Sequence, residues 1–573
     1  MDEPIPFQVQ SAVGSMSAGA GLRILKGCVF VFFLLVVVGF YAFTQFQGLR
    51  DAEAMDYAQL ARNLAAGEGF TTALVRPISL WYFEDRKIRL ADPARPPDIV
   101  HAPLYPVVLA AGFKVLRPSF DLDPEARLFA PERKVIVPFG VVLTLATALM
   151  IYLLGRRLFD PRAAALATGA YLLTEGVLAD SISGLPIPLL SFLATAAAYV
   201  AISATQQREA GAPFGAWSLR FLLAALLCAA GCLTRYAFVV WIPAIAWLFS
   251  LSALRWRVTT FAVFVLAVLA AVSPWLLRNR EAAHGLLGMA PLTVLEHTSA
   301  FSEKRPFERS LNMRLDAPDI ATAIRAKLFE NAPRAYDVGL SKLCGGVLSA
   351  FFLASFLYRF IRDEAHRLRW CVAGALALMT VLASLWGDST AGLLRAFLPL
   401  VLLYGAAFFI LLLDRIEYMD PAVGAAIGAA VLFVTALPLV FTVVGGKVQM
   451  PYPPCYPPFI ERVARYLGPQ EVLATDIPAA TAWYGKRSSL LLPLSVADFD
   501  RIRGMGLPVK GLYLTQVTGN KAYARDLLGG SDRSWLPLLN GKIPSGFPLT
   551  DGINLPTGTR DQLFLTEVGR FPQ

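Results

Sequence analysis

The sequence predicts a mostly α-helical, polytopic membrane protein with about eleven transmembrane helices and a small C-terminal α/β domain. Three observations lead to this fold class. Of the 573 residues, 56% are apolar and 16% are charged, and the mean hydropathy is +0.54. Apolar stretches of about 20 residues, long enough to cross a bilayer, recur up to residue 445. Beyond that point the pattern changes to short helix-like and strand-like segments, so the bilayer is the main solvent of the first part only.

The charge balance and the cysteine count exclude several function classes. Lys and Arg outnumber Asp and Glu by 52 to 42, but the basic residues are scattered between apolar segments. This distribution favours anionic membrane lipid as the partner and not nucleic acid. The six cysteines and four histidines form no metal-ligand motif, and Cys228 and Cys232 are predicted to pack within an apolar helix. No metal site and no resident cofactor is therefore indicated by a motif.

The first predicted span covers residues 24–46, behind Arg23 and Lys26. It is too long for a cleaved signal peptide and lacks a small-residue cleavage site, so it is interpreted as an anchor with residues 1–23 as a cytoplasmic tail. The remaining predicted spans are residues 135–154, 163–178, 185–202, 219–233, 238–254, 260–276, 343–360, 372–386, 393–413 and 423–444.

The short connections test this topology, because cytoplasmic loops of membrane proteins carry an excess of Lys and Arg. The loops predicted to lie inside contain Arg156, Arg157, Arg162, Arg208, Arg220, Arg255, Arg257, Arg359, Arg362, Arg367, Arg369 and Arg415. The short outer loops contain none, apart from the tight turn at Arg235. An exception of this kind favours a functional interpretation of Arg235.

After the tail of residues 1–23, the topology divides the chain into two further parts. Residues 24–445 form the transmembrane domain, with outer loops at 47–134 and 278–341. Residues 446–573 form an extracytoplasmic domain that begins with a Pro-rich linker and continues with alternating helix-like and strand-like segments. That alternation is typical of a small α/β domain.

An amphipathic helix is predicted directly after the first span, with Gly67 as its stop signal. At 100° per residue Glu53 lies near the middle of the apolar stripe that contains Tyr57, whereas Asp56 lies toward its edge and Asp51 is placed to cap the helix. A carboxylate on an apolar face needs a partner or a raised pKa, and a raised pKa suits a general base. The alternative is that these acids only cap and solvate an interfacial helix.

Further ionisable and polar residues recur at the same predicted membrane face. They are His101 and Tyr105 in the segment HAPLYP, Asp180 after the third span, Arg235 in LTRY, Arg278 and Asn279 in PWLLRN, and Asp388 and Arg395 near the tenth span. Ionisable groups at helix ends are often snorkelling anchors. Together, however, they predict an outward cavity in which Arg235, Arg278 and Arg395 bind a lipid phosphate or pyrophosphate.

The order of these motifs resembles that of the GT-C glycosyltransferases. The segments are DYAQLARNL after the first span, then APLYP, an Asp after the third span, LTRY, PWLLRN and RAFLPL, over roughly residues 20–500. The resemblance is strongest to bacterial protein-mannosyltransferase-like and aminoarabinose-transferase-like enzymes. It implies an outward-facing active site, a polyprenyl-phosphate sugar donor and inverting transfer to a lipid, glycan or protein acceptor.

The resemblance also implies residue roles. Glu53-Ala54 stands where the family usually has an Asp-Glu pair, so the catalytic base is either Glu53 or Asp56. Asp180 matches the second acidic position, and Arg235, Arg278 and Asn279 match basic motifs near the donor phosphate.

The remaining predicted contacts follow from their place beside these motifs. Tyr57, His101, Tyr105 and Asp388 are expected to contact substrate. Some GT-C branches use a divalent ion and others do not, which leaves a metal open. The family implies a bacterial inner membrane, with the active site and the C-terminal domain outside the cytoplasm.

Two other function classes compete with this interpretation. A transporter or flippase of lipid-linked sugars would also line a cavity with arginine, but it needs access from both faces, and the charged residues gather at one. A receptor or scaffold on a membrane anchor would not need eleven spans.

Overall fold

The computed structural model describes residues 20–122, 128–253, 255–296, 298, 307–312, 317–343, 346–386, 392–416, 420–445, 456–519, 523, 533–555 and 562–570. Three sequence predictions lie outside these residues. They concern the cytoplasmic tail up to residue 19, Asp388 and residues 451–455 of the Pro-rich linker.

Helices dominate the first 445 residues because long apolar sequence satisfies its backbone hydrogen bonds internally only as helix. Eight helices are long and apolar enough to cross a membrane in the described part of the chain. They are Ile24–Gln45, Glu132–Leu158, Ile187–Glu209, Phe214–Thr234, Arg257–Ala283, Asp363–Trp386, Leu393–Leu413 and Ala422–Val444. This confirms a polytopic membrane protein.

The predicted number of eleven spans is not confirmed, because three of the predicted stretches are shorter helices. Residues 163–178 divide into Pro161–Leu173 and Glu175–Ile182, since Thr174 leaves the helical conformation with φ −76° and ψ 116°. The predicted spans at 238–254 and 343–360 form the shorter apolar helices Tyr236–Leu251 and Val347–Leu357. Apolar composition predicted the helices, but it did not reveal where polar turns interrupt them.

In chain order, the helices and strands of the first half are α1 to α10 with strand β1. Their bounds are α1 Ala20–Gln45, α2 Ala52–Ala66, β1 Leu74–Val75, α3 Pro77–Asp85, α4 Leu104–Leu116, α5 Val137–Leu158, α6 Pro161–Leu173, α7 Glu175–Ile182, α8 Ile187–Glu209, α9 Phe214–Thr234 and α10 Trp241–Leu251. A π-helical turn, Glu132–Ile136, leads into α5.

The second half of the transmembrane part contains six helices, and the C-terminal part adds a mixed set. The bounds are α11 Arg257–Ala283, α12 Ala317–Leu343, α13 Val347–Ala354, α14 Asp363–Trp386, α15 Leu398–Leu413, α16 Pro421–Val444, α17 Pro457–Arg465, β2 Val472–Thr475, α18 Pro478–Tyr484, β3 Ser488–Leu491, α19 Val496–Gly504, β4 Val509–Leu514, α20 Leu536–Leu539, β5 Asp551–Leu555 and β6 Gln562–Thr566. A 3₁₀ turn, Leu393–Phe397, precedes α15.

Helices α8 and α15 lie at the centre of the bundle, and most of their residues are buried. The buried face of α8 carries small residues, including Ala194, Ala197, Ala198 and Ala201. Small side chains let neighbouring backbones approach closely, which favours helix association in a bilayer. The outer helices α1, α11 and α16 keep most of their apolar surface exposed, as expected for lipid contact.

The C-terminal part forms a six-stranded sheet with the order β1-β3-β2-β4-β6-β5. The first four strands in this order are parallel, β6 pairs antiparallel with β4, and β5 pairs antiparallel with β6. The edge strand β1 comes from the first outer loop, with Leu74 opposite Ser489. The α/β unit predicted at residues 446–573 is thus completed by a strand from far earlier in the chain, which its own sequence did not reveal.

The C-terminal part packs against helix α2 through its helix α18. The Arg62 guanidinium donates to the carbonyl oxygens of Trp483 and Ala482, both at 2.9 Å. The Trp483 indole N–H donates to the buried Glu132 carboxylate at 2.8 Å, just before α5. Helix α18 therefore links α2 to the residues that lead into α5.

Candidate functional site

Helix α2 begins and ends as the sequence predicts. Gly67 ends it in the left-handed region at φ +84°, and the Gly67 N–H donates to carbonyl oxygens of the last turn. Asp51 occupies the N-cap position with an extended backbone, but its side chain makes no capping hydrogen bond. The capping function predicted for Asp51 is therefore wrong, and its side chain instead lines a cavity.

The cavity has a volume of about 600 Å³ and lies where one end of the helical bundle meets the first outer loop. Four of the predicted site residues line it: Glu53 on α2, Asp180 on α7, Arg235 after α9 and Arg395 before α15. The structure thus brings together charged residues that are as much as 342 positions apart, from Glu53 to Arg395.

Glu53 forms an ion pair with Arg235 at the wall of this cavity. The Arg235 guanidinium also lies over the ring of Tyr57, 5.9 Å from its centroid. Tyr57 is buried, and burial raises the pKa of its phenol, so the ring stays neutral. Tyr57 thus supports the arginine as an aromatic surface.

Asp180 and Arg395 form a second pair at 2.9 Å. Arg395 also donates to the Gly176 carbonyl oxygen at 2.8 Å, which ties it to helix α7. Gly176 has no side chain, and a Cβ placed there would lie 3.1 Å from the Arg395 guanidinium nitrogen. The close approach of Arg395 to α7 therefore depends on glycine at this position.

Both arginines retain hydrogen-bonding capacity. The Nε atoms of Arg235 and Arg395 are buried and have no hydrogen-bond acceptor among the residues that the structure describes. A buried donor without an acceptor is unfavourable, so these two N–H groups are suited to an anionic ligand. Phosphate oxygens match the geometry of a guanidinium fork.

The cavity is also lined by three charged residues that were not predicted to belong to it. They are Asp51, Arg50 and Glu175, and the Tyr41 hydroxyl donates to Glu175 at 3.2 Å. Two signals were available: Arg50 lies four positions after the first predicted span, and Glu175 lies five positions before Asp180. Neither signal shows which way a side chain points.

Asp56, the second candidate base, does not line the cavity. It is 1% exposed, accepts from Arg76 at 2.6 Å and from Gln59 at 2.9 Å, and lies 3.5 Å from His101. The apolar stripe had placed Asp56 at an edge and Glu53 at the centre of the buried face. The opposite holds because nearly all of α2 from Ala54 to Ala61 is buried, so its apolar stripe does not define a single inward face.

His101 is an internal counter-ion in this structure. Its two ring nitrogens face carboxylates, Asp98 at 3.2 Å and Asp56 at 3.5 Å. Burial alone would lower the pKa of His101, but the two carboxylates outweigh burial and raise it. Burial likewise opposes the charge on Asp98, yet His101 lowers the pKa of that carboxyl. The two carboxylates thus favour the protonated form of His101, and this side chain does not line the cavity.

Tyr105 and Asn279 also have structural partners. The Tyr105 hydroxyl donates to the Gly184 carbonyl oxygen at 2.7 Å, and its ring contacts that of Tyr57. The Asn279 amide donates to the Tyr236 hydroxyl and to the Leu286 carbonyl oxygen, both at 3.2 Å. These contacts fix loop geometry around the cavity wall.

Arg278 is directed to the first outer loop. It donates to the carbonyl oxygens of Asp98 at 2.8 Å and Phe70 at 3.2 Å, and its guanidinium lies over the rings of Trp275 and Phe70. These contacts join the end of α11 to the loop that contains His101. The predicted grouping of Arg278 with Arg235 and Arg395 is not seen, because only the latter two line the cavity.

The possible metal was tested against the residues present. Across the described parts of the chain, no group of three or more His, Cys, Asp or Glu side chains is placed to hold a metal ion. In the cavity, Glu53 and Asp180 are each engaged by an arginine. The described residues thus show no metal site.

Comparisons with known proteins agree with this picture. Residues 125–277 match the family described as dolichyl-phosphate-mannose-protein mannosyltransferase. The fold is similar to that of ArnT from Cupriavidus metallidurans bound to undecaprenyl phosphate, with a TM-score of 0.57 and 13% identity, covering 97% of this chain and 100% of that chain. No curated protein sequence gives a significant match.

The fold is also similar to that of an oligosaccharyltransferase from Archaeoglobus fulgidus. The complex with Zn and sulfate gives a TM-score of 0.55 at 13% identity and covers 88% of this chain and 70% of that chain. The complex of AglB from the same organism with an inhibitory peptide and a dolichol-phosphate gives 0.51 at 13% identity and covers 95% and 75%.

The transporter alternative finds no support among these proteins. ArnT and AglB are both GT-C glycosyltransferases, and the matched family is one of mannosyltransferases. The family match over residues 125–277 and the shared fold indicate a multi-pass membrane glycosyltransferase of the GT-C type.

Proposed function

We propose that the protein transfers a sugar from a polyprenyl-phosphate donor to an acceptor hydroxyl or amide outside the cytoplasm, with inversion at the anomeric carbon. The observation that carries this proposal is the cavity of about 600 Å³ in which one free face of Glu53 and two arginines meet at one end of the bundle. ArnT and AglB, whose fold this chain shares, have solved structures in complex with undecaprenyl phosphate and with a dolichol-phosphate, respectively, which supports the same class of donor.

Glu53 is the proposed general base. Its side chain is 29% exposed and lines the cavity, whereas Asp56 is enclosed by Arg76, Gln59 and His101. A base must reach the proton that it removes, so accessibility supports Glu53 over Asp56. The alternative that these acids only cap and solvate a surface helix does not account for the ion pair between Glu53 and Arg235.

The proposed reaction needs one base and no general acid. Glu53 accepts the proton of the acceptor as the acceptor atom bonds to the anomeric carbon. The bond from that carbon to the phosphate oxygen breaks, and the electron pair leaves with the polyprenyl phosphate, which needs no proton to depart. Arg235 and Arg395 stabilise the negative charge that grows on the phosphate. Asp180 holds Arg395 and orients it toward the phosphate.

The orientation in the membrane is proposed from the charge pattern. At the end of the bundle opposite the cavity, the Arg-rich loops contact one another: Arg162 pairs with Asp414 at 2.7 Å and Arg367 with Glu209 at 3.0 Å. An excess of arginine in short loops favours the cytoplasmic side. The cavity and the C-terminal sheet then face outward, across what the family resemblance suggests is a bacterial inner membrane.

The test is donor consumption by purified protein in nanodiscs. A panel of polyprenyl-phosphate sugars is supplied with membrane extract as the source of acceptors, and released polyprenyl phosphate is quantified. We expect release with one donor, and a fall of about 100-fold or more in Glu53→Gln. Glu175→Gln, which neutralises another carboxylate of the same cavity, is the matched control and should keep most of the activity. No release from any donor would refute the proposal.

A further inference from the structure

The cavity arginines are already engaged by carboxylates, and the two pairs are held differently. Arg395 has a second anchor in the Gly176 carbonyl oxygen besides Asp180. Arg235 has Glu53 as its only polar side-chain partner among the described residues, and otherwise rests on the ring of Tyr57. Arg235 is therefore the arginine whose partner can be exchanged.

A phosphate that binds Arg235 brings negative charge close to Glu53. Two anions around one guanidinium repel each other, and in a partly buried site this repulsion is screened less than in water. The buried Nε–H of Arg235, which has no acceptor among the described residues, gives an anion a place to bind while the Glu53 contact weakens.

Resting on the function proposed above, we infer that Glu53 and the donor phosphate compete for Arg235. Binding of the donor releases Glu53, which then accepts the acceptor proton. After transfer, Glu53 passes that proton to water, and its restored carboxylate again binds Arg235 and so displaces the polyprenyl phosphate product. The ion pair thus couples the availability of the base to the presence of donor and limits inhibition by product.

If Glu53 and the phosphate compete for Arg235, removing the Glu53 charge should strengthen the binding of a lipid phosphate. Undecaprenyl phosphate, without sugar, is titrated into the full-length protein in nanodiscs, and binding is followed by native mass spectrometry. In Glu53→Gln the lipid phosphate should bind about tenfold more tightly, because Arg235 loses its competitor. In Glu175→Gln, which removes an equal charge from the same cavity but has no contact with Arg235, affinity should change by less than about threefold.

A second pair of variants isolates the arginine. In Arg235→Gln the lipid phosphate should bind more weakly than in the wild-type protein. In the double variant Arg235→Gln with Glu53→Gln, the affinity should exceed that of Arg235→Gln by no more than the change seen in Glu175→Gln, because no arginine remains at position 235 for Glu53 to occupy. Thermal unfolding of each variant checks that the fold is kept, so that an affinity change reports the cavity.

The possible results separate the two proposals. Equal tightening in Glu53→Gln and Glu175→Gln would mean a general field effect and would overturn the competition while leaving the glycosyltransferase proposal in place. Weaker binding in Glu53→Gln would also overturn it. No binding of undecaprenyl phosphate to any variant would refute the donor assignment itself and the competition with it.

Discussion

The choice of Glu53 over Asp56 can be tested through stability as well as activity. Asp56 and Arg76 form an ion pair at 2.6 Å with side chains only 2% and 10% exposed. Asp56 also accepts from Gln59 at 2.9 Å and lies 3.5 Å from the His101 ring nitrogen. In Asp56→Asn the shape is kept, but the buried Arg76 guanidinium loses its closest counter-ion.

The size of the destabilisation depends on the charge that stays buried in the variant. Removing one partner of a buried ion pair leaves an uncompensated buried charge and costs about 3–5 kcal/mol. Arg76 keeps one other carboxylate, Glu308 at 3.1 Å, but that side chain is half exposed and solvent weakens its attraction. We therefore expect Asp56→Asn to lower the free energy of unfolding by about 3 kcal/mol, the lower end of that range.

The assay is denaturant and thermal unfolding in nanodiscs, followed by intrinsic fluorescence, with donor turnover measured on the folded fraction. The control is Asp414→Asn, which breaks an exposed pair with Arg162 and should cost no more than about 1 kcal/mol. Unchanged stability of Asp56→Asn together with abolished turnover would refute the reasoning, because Asp56 would then be the base and not a structural acid.

Three further predictions follow from contacts around the cavity. The pKa of His101 is raised on folding, so its stabilising contribution is full below its unfolded pKa of about 6.5 and is lost as pH rises through the folded value. The melting temperature of the wild-type protein should therefore exceed that of His101→Gln most at low pH. A difference in melting temperature that does not change with pH would contradict this. Arg278→Ala removes the bond to the Phe70 carbonyl oxygen, so amide hydrogen exchange in the first outer loop should increase while exchange in strands β2 to β6 stays constant. Gly176→Val places atoms against Arg395 and should raise the KM for donor by about tenfold with a smaller change in kcat, whereas an unchanged KM would show that Arg395 does not bind the donor.

The two acids of helix α2 illustrate how charge is divided between structure and chemistry. Asp56 belongs to a buried group that fixes the first outer loop, and Glu53, three positions away, faces the cavity. Positions three apart on a helix differ by about 300° in direction, only 60° short of a full turn. A small difference in angle therefore separates a buried counter-ion from the proposed base, because the surrounding elements enclose one and leave the other open.

The sequence by itself determined the class of the protein and much of its local structure. Long apolar runs can satisfy their backbone hydrogen bonds in lipid only as helices, so composition was enough to predict a polytopic helical fold. The helix after the first span and its end at Gly67 followed from local rules of spacing and glycine conformation. The alternation of apolar segments near the C-terminus likewise predicted an α/β arrangement, which the sheet confirms.

Only the tertiary structure decided which charged side chains share the cavity. Arg235 and Arg278 looked equivalent as arginines at the ends of helices, yet one faces the cavity and the other donates to loop carbonyls. Strand β1 has too few residues to be recognised from its pattern and forms because β3 offers an open edge. Direction and pairing of this kind depend on neighbours that are hundreds of residues away, and a local pattern contains no information about them.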